Sequence, residues 1–209
     1  MPSFNIEKKF NQPIIGIDEV GRGPLAGPVI SCACIFFDVQ LNKKELYFID
    51  DSKKLSQKKI KIAMKEIFKL KKQNKVKFSL GMASVNEIDK HNILQATIIS
   101  MRRAVKKLNQ QPTKLIIDGK IDLELKDYQS IGIIKGDQKS YSIAAASIIA
   151  KIHRDRYMKF LSKFYPFYDW SSNVGYGTKK HIDEIKKLGV TIHHRKSFEP
   201  IKSIIQINN

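Results

Sequence analysis

Cysteine is scarce: Cys32 and Cys34 are the only two in 209 residues, one residue apart inside an apolar run. That spacing makes neither a zinc knuckle nor a disulfide framework, and it leaves two core thiols of a reducing compartment. Long apolar runs are missing too. The longest stretch of mostly small apolar residues, Ile143 to Ala150, falls far short of the ~20 needed to cross a bilayer. Met1 to Phe10 mixes polar and apolar residues without the apolar centre of a secretory leader, so a cytoplasmic protein without membrane contact is expected. Internal repeats and low-complexity linkers are absent, which removes solenoids and flexible arrays. Acids are the last shortage, 20 Asp+Glu against 38 Lys+Arg, for a net charge of +18. Such an excess favours nucleic acid through counterion release, although a lysine-rich background composition alone supplies some of it.

A chain of this length fits one large domain, or a core with a modest appendage. Ile14 to Asp18 and Val29 to Phe37 read as two strands joined by a tight Gly/Pro-rich connection, a hairpin. Ser56 offers an N-cap before Ile60, Ala63, Met64, Ile67 and Leu70, apolar at helical spacing with lysines on the other faces. Val76 to Met82 alternates as a strand, and Leu94, Ile98, Met101, Val105 and Leu108 give a long basic helix. Two more strands, Leu115 to Ile117 and Ile131 to Ile134, precede a Ser/Ala-rich helix from about Ser142 to Lys163. The tail holds one further helix, Thr178 to Leu188, stopped by Gly189. This order is a mixed α/β domain.

The few acids recur where apolar runs end beside glycine: Asp18-Glu19 before Gly21, Asp118 before Gly119, Asp137 after Gly136. A single strand-end Asp ordinarily caps its own turn. Several brought to one edge by parallel strands repel one another and raise one another's pKa, so an all-acid cleft in a basic protein points to divalent cations. Oxygen ligands without His or Cys select Mg²⁺ or Mn²⁺ over zinc, and two such ions about 4 Å apart serve phosphodiester cleavage. Neighbours in a regular strand face opposite ways, so Asp18 and Glu19 can share a metal site only if the strand ends or bulges there.

Other motifs carry less. Gly21 to Gly27 imitates a dinucleotide loop with its third glycine one place late and Pro24 at a poor position. His153-Arg154-Asp155 matches a kinase tripeptide in letters only and reads as a solvated helix face. His193-His194-Arg195 reads as phosphate contact or packing, because adjacent histidines do not converge on one ion.

Taken in order, Gly16 to Pro28, Asp51-Ser52-Lys53-Lys54-Leu55, Ile117-Asp118-Gly119, Lys135-Gly136-Asp137, Ala144 to Ile148 running to Arg154-Asp155, Gly175-Tyr176, and His194-Arg195 with Ser197-Phe198 make the sequence similar to bacterial type 2 ribonuclease H, the ribonuclease HII family. The resemblance covers roughly Ile14 to Pro200. It implies an RNase H-like fold: a central mixed five-stranded sheet flanked by helices, with residues 1–163 as catalytic core and 164–209 as a C-terminal helical segment that helps hold the duplex. It implies that Asp18, Glu19, Asp118 and Asp137 are the catalytic acids, with metal on Asp18, Glu19 and Asp118. It implies hydrolysis of the RNA strand of RNA/DNA hybrids and incision 5′ of single ribonucleotides in duplex DNA, with two Mn²⁺ or Mg²⁺ ions. Gly21, Arg22 and Gly23 then contact the ribonucleotide, Tyr176 packs on the neighbouring deoxyribose, and Lys53 meets a phosphate. A monomer is expected, and sliding-clamp contact is left open.

Two other readings compete. One is a different RNase H-like nuclease, either a junction resolvase or the type 3 enzyme, and the Gly-Arg-Gly turn argues against the latter. The other is a non-enzymatic RNA-binding or ribosome-associated protein, for which the charge suffices but converging carboxylates would serve nothing.

Overall fold

The computed structural model describes residues 1–42, 45–50, 52, 55–110 and 114–207. β1 (Ile15–Val20) and β2 (Val29–Phe36) form the expected hairpin, and β3 (Val76–Ala83) adds antiparallel to β2. β4 (Lys114–Asp118) pairs parallel with β1, and β5 (Gln129–Ile133) parallel with β4. The sheet is therefore mixed and five-stranded, in the order β3-β2-β1-β4-β5. β2 is buried at every position because both faces of the sheet are covered, which explains its unbroken apolar run. Cys32 and Cys34 are buried free thiols in it.

Strand alternation divides the core. Ile15, Ile17, Ala33 and Ile35 face Met101, Ala104, Val105 and Leu108 of α2 (Val85–Leu108). Cys32, Cys34 and Phe36 face the other way, towards α1 (Gln57–Lys72) and α3 (Tyr141–Leu161). Gly16 lies on this second face, where a Cβ would stand 2.5 Å from Ser142 Cβ and 2.6 Å from Ile143 N. Only glycine lets the start of α3 lie against β1 at that distance.

Helix ends follow local chemistry. Ser56 accepts from Lys59 N–H, and Ser140 accepts from Ile143 N–H. Ser84 and Glu87 form a reciprocal capping box, so α2 begins nine residues before the first apolar position of its sequence pattern, Leu94. A kink at Asn92, with φ of 65°, separates the two parts, and Asn92 Oδ1 accepts from Leu94 N–H and Gln95 N–H to restart the helix.

The tail contains more helix than its sequence pattern shows. α4 (Trp170–Asn173) and α6 (Ile201–Ile207) accompany the expected α5 (Lys179–Leu188), whose N-cap is Thr178. These elements gather around the fully buried Trp170, with Tyr168, Ile185 and Ile201, against Met158 and Leu161 of α3 and Leu25 and Ala26 of the β1–β2 connection. The tail thus shares a core with that connection. Among the described residues no helix is long and apolar enough to cross a membrane.

Candidate active site

β1 and β4 run parallel and bring Asp18 and Asp118 to the same end of the sheet. Asp137 comes from a 3-10 turn (Gly136–Gln138) between β5 and α3. One oxygen from each of Asp18, Asp118 and Asp137 lies within 4.8 Å of the others. Two backbone amides donate into this cluster. Glu19 N–H donates to Asp18 Oδ1 at 2.7 Å, and Gly136 N–H donates to Asp118 Oδ1 at 2.7 Å. Asp122 and Glu124, nearby in sequence, are engaged elsewhere: Asp122 caps Glu124 N–H, and Glu124 pairs with Arg102.

Asp18 is 5% exposed, and burial, then Glu19 and Asp118, push its carboxyl well above the usual carboxylate range. Burial also raises Glu19, with Arg22 opposing and Asp118 adding to the rise. Glu19 is not one of the three clustered carboxylates, and no bulge turns it towards them. The β1–β2 register runs one to one through Asp18↔Cys32, Glu19↔Ser31 and Val20↔Ile30, whereas pairing with β4 stops at Ile17↔Ile117. The β4 side of the strand end is therefore open beside Glu19. Its Oε1 lies 3.4 Å from Arg22 Nη1, and its Oε2 is buried without a hydrogen-bond partner. An all-oxygen donor set that repels itself, with one orphaned carboxylate oxygen at its edge, fits a hard divalent cation.

Beyond Val20 the chain enters the Gly21-Arg22-Gly23 turn and continues into β2, not into the helix that a dinucleotide loop requires. Two buried guanidiniums shape it. Arg195 donates Nε and Nη2 to Gly27 C=O (3.0 and 2.8 Å), Nη1 to Arg22 C=O (2.8 Å), and Nη2 also to Gly21 C=O. Arg154 donates to Pro28, Val174 and Ala26 carbonyls at 3.0, 2.8 and 2.9 Å. Among the described residues neither is in a salt bridge, and burial lowers Arg195 to about 9 and Arg154 to about 10. The expectation of a solvated face at Arg154 is therefore wrong: it is 1% exposed, and local helix periodicity cannot show acceptors 20 or more residues away in sequence. For Arg195 the packing alternative holds.

Tyr176 stands half exposed beside this turn. A Cβ added to Gly23 would meet Tyr176 Cε1 at 3.6 Å. Its backbone is fixed from below: Tyr176 N–H donates to Asn173 C=O, and its carbonyl accepts from His181 Nδ1 at 2.8 Å. That assignment leaves His181 Nε2 as acceptor for Trp170 Nε1–H at 2.9 Å and for His194 Nε2–H at 3.2 Å, because His194 Nδ1 accepts from Thr191 N–H. Both imidazoles are neutral. Burial, with His181 and His193 beside it, drops His194 to about 3.

Gly21, Arg22, Gly23 and Tyr176 thus meet at one place, continuous through Glu19 with the acid cluster. Lys53, with Lys54 and Asp51, lies outside the described residues. Ser147, which the resemblance includes in the Ala144 to Ile148 stretch without giving it a role, hydrogen-bonds to Asp18 from α3 and pairs with Ser52 Oγ at 2.8 Å.

A five-stranded mixed sheet with carboxylates at the ends of its parallel strands defines an RNase H-like, metal-dependent nuclease. The family model described as Ribonuclease HII matches residues 15–201. A ribonuclease HII from Staphylococcus carnosus (strain TM300) is 52% identical over 196 residues, covering 92% of this chain and 70% of the relative. Another, from Wolbachia sp. subsp. Brugia malayi (strain TRS), is 48% identical over 200 residues, covering 96% and 94%. The crystal structure of the ribonuclease H2 from Pyrococcus horikoshii OT3 superposes with a TM-score of 0.76 at 24% identity, covering 94% of this chain and 98% of that one. The chain belongs to the ribonuclease HII family: a metal-dependent endonuclease of the RNase H type, acting on RNA/DNA.

Proposed function

We propose that the protein incises duplex DNA on the 5′ side of single embedded ribonucleotides, besides cutting the RNA strand of hybrids, and leaves 5′-phosphate and 3′-hydroxyl ends. The observation that carries this reading is the junction of the acid cluster with the glycine turn: Glu19 lies between Asp18 of the cluster and Arg22 of the turn. In this reading Asp18, Glu19, Asp118 and Asp137 hold two Mg²⁺ or Mn²⁺ ions. Divalent cations held there supply Lewis-acid stabilisation of the charge on the phosphodiester.

The chain's own groups select and orient the substrate. The 2′-hydroxyl is the one group that separates ribose from deoxyribose, and glycine backbone approaches it without a side chain intervening. Tyr176 offers a flat face, 47% exposed, to the sugar that lacks the hydroxyl. Residues 164–209 form the wall against which the duplex rests, and the +18 charge supplies non-specific attraction. Asp18→Asn and Asp118→Asn are expected to abolish cleavage while the variants still fold and bind hybrid. Turnover like that of the unaltered protein by either variant would sink the assignment.

A further inference from the structure

Arg195 is buried, lies 173 residues from Arg22 in sequence, and faces the turn from the side opposite the solvent. Its guanidinium takes the carbonyls of two consecutive peptides, Gly21–Arg22 and Arg22–Gly23. Both peptides are trans, since among the described residues the cis bond is Glu199-Pro200. In a trans peptide the C=O and the following N–H point in opposite directions. Drawing these two carbonyls inward therefore turns Arg22 N–H and Gly23 N–H outward, and neither amide has an acceptor among the described residues. The next amides are consumed within the protein, Leu25 N–H and Ala26 N–H by Gly175 C=O and Gly27 N–H by His193 C=O. Two adjacent outward donors remain, beside Tyr176 and next to the acid cluster.

We infer that Arg195 is the positioning residue for ribose recognition: by fixing two peptide planes it presents Arg22 N–H and Gly23 N–H as a paired donor to the ribonucleotide's oxygens. The inference rests on the ribonucleotide reading above and adds to it the part of the chain that sets the turn. Geometry explains why an arginine is used. A planar fork reaches two carbonyls on one peptide run while a third donor anchors the far limb at Gly27, which a lysine ammonium cannot do at the same spacing. Arg154 performs the companion task on Ala26, Pro28 and Val174, and so ties the far limb to the Tyr176 loop. Selectivity is then built from opposite ends of the sequence, with the amides in residues 21–23 and their orientation set from residue 195.

The test is binding to a duplex with one ribonucleotide and to an otherwise identical all-DNA duplex, read by fluorescence anisotropy in the Asp118→Asn background so that the ligand survives. The control protein is expected to prefer the ribonucleotide by about tenfold, the equivalent of one good hydrogen bond. Adding Arg195→Lys should shrink that preference to about twofold or less, with all-DNA affinity within about twofold of the control, because phosphate attraction is untouched. A merely structural role would lower the melting temperature and leave the preference intact, and that result in a folded variant overturns the inference. Absence of any preference in the control instead counts against the ribonucleotide reading itself. Should Arg195→Lys fail to fold, amide hydrogen exchange on the unsubstituted protein decides the matter. Arg22 and Gly23 amides should exchange fast alone and slow by tenfold or more with the ribonucleotide duplex but not with all-DNA. Slow exchange in the free protein, or equal protection by both duplexes, overturns it.

Discussion

Alanine at Gly21, Gly119 and Gly23 separates backbone strain from collision, and the structure sets the order of the three effects. Gly21 has φ of +98°, and an added Cβ would collide with Arg154 Nε while standing 2.6 Å from Arg154 Cδ and 2.8 Å from Pro28 C=O. Gly119 has φ of +86° with nothing within 4 Å, so alanine there meets strain alone. Gly23 has ordinary φ, and its nearest neighbour would be Tyr176 Cε1 at 3.6 Å, so alanine fits. Left-handed backbone costs a non-glycine residue about 1–2 kcal/mol. Gly21→Ala must in addition displace a buried guanidinium that serves three carbonyls, and each charge-assisted bond lost costs about 1.5–3 kcal/mol. The expected losses are about 3–5 kcal/mol for Gly21→Ala, about 1–2 for Gly119→Ala, and under about 1 for Gly23→Ala, against a total of roughly 5–15 for a domain. Urea unfolding measures all three, and incision assays on the same samples should show Gly23→Ala impaired in activity despite its stability. Equal stability of Gly21→Ala and Gly119→Ala would refute the account of Arg154 as a brace of the β1–β2 connection.

Three further outcomes are expected. His194 titrates near 3 in the fold against an ordinary value of 6.5, so the unfolded chain takes up a proton that the folded chain refuses. The His194 contribution to stability is therefore fully present above about pH 6.5 and falls towards pH 3 by up to about 1.4 kcal/mol per pH unit, and urea midpoints at pH 7, 6 and 5, compared with those of a His194 variant, check this. His194→Gln should flatten that slope, and an unchanged slope contradicts the assignment. Mn²⁺ at about a hundred times its dissociation constant should stabilise the protein by about 2.7 kcal/mol in thermal melts, and Asp118→Asn should lose most of this; an equal shift in both proteins would place the ion elsewhere. Trp170→Phe removes the Nε1–H that His181 accepts, so the Tyr176 loop should exchange its amides faster, by about tenfold, with β1 and β4 unaffected.

The sheet and its acids were legible because they obey short-range rules. Apolar runs ending in Asp beside Gly mark Asp18 and Asp118, and parallel pairing of β1 with β4 brings them together. Ser56 and Thr178 announce their helices, whereas Ser84 is separated from the apolar pattern of α2 by the kink at Asn92. What could not be read is long-range. A buried Arg154 or Arg195 carries no local mark, since its acceptors are backbone carbonyls scattered between residues 21 and 174. α6 escaped notice because its seven residues are too few for a periodic pattern, and it is held by contact with the Trp170 cluster. Of the two ways open to Glu19, a bulge and a strand end, the bulge is absent: β1 stays regular on its β2 side, while its pairing with β4 ends after Ile17 and leaves that edge open.

The central claim is that the acids and the glycine turn act as one site that cuts where a ribose interrupts deoxyribose. Incubating the protein with Mg²⁺ or Mn²⁺ and a duplex carrying a single ribonucleotide, beside its all-DNA counterpart, tests it most directly. The account predicts a single cut 5′ to the ribonucleotide, with a 3′-hydroxyl on the upstream fragment, and an intact all-DNA duplex. Equal cutting of both duplexes, or no cut at the ribonucleotide by a protein that still cleaves a full RNA/DNA hybrid, would contradict it.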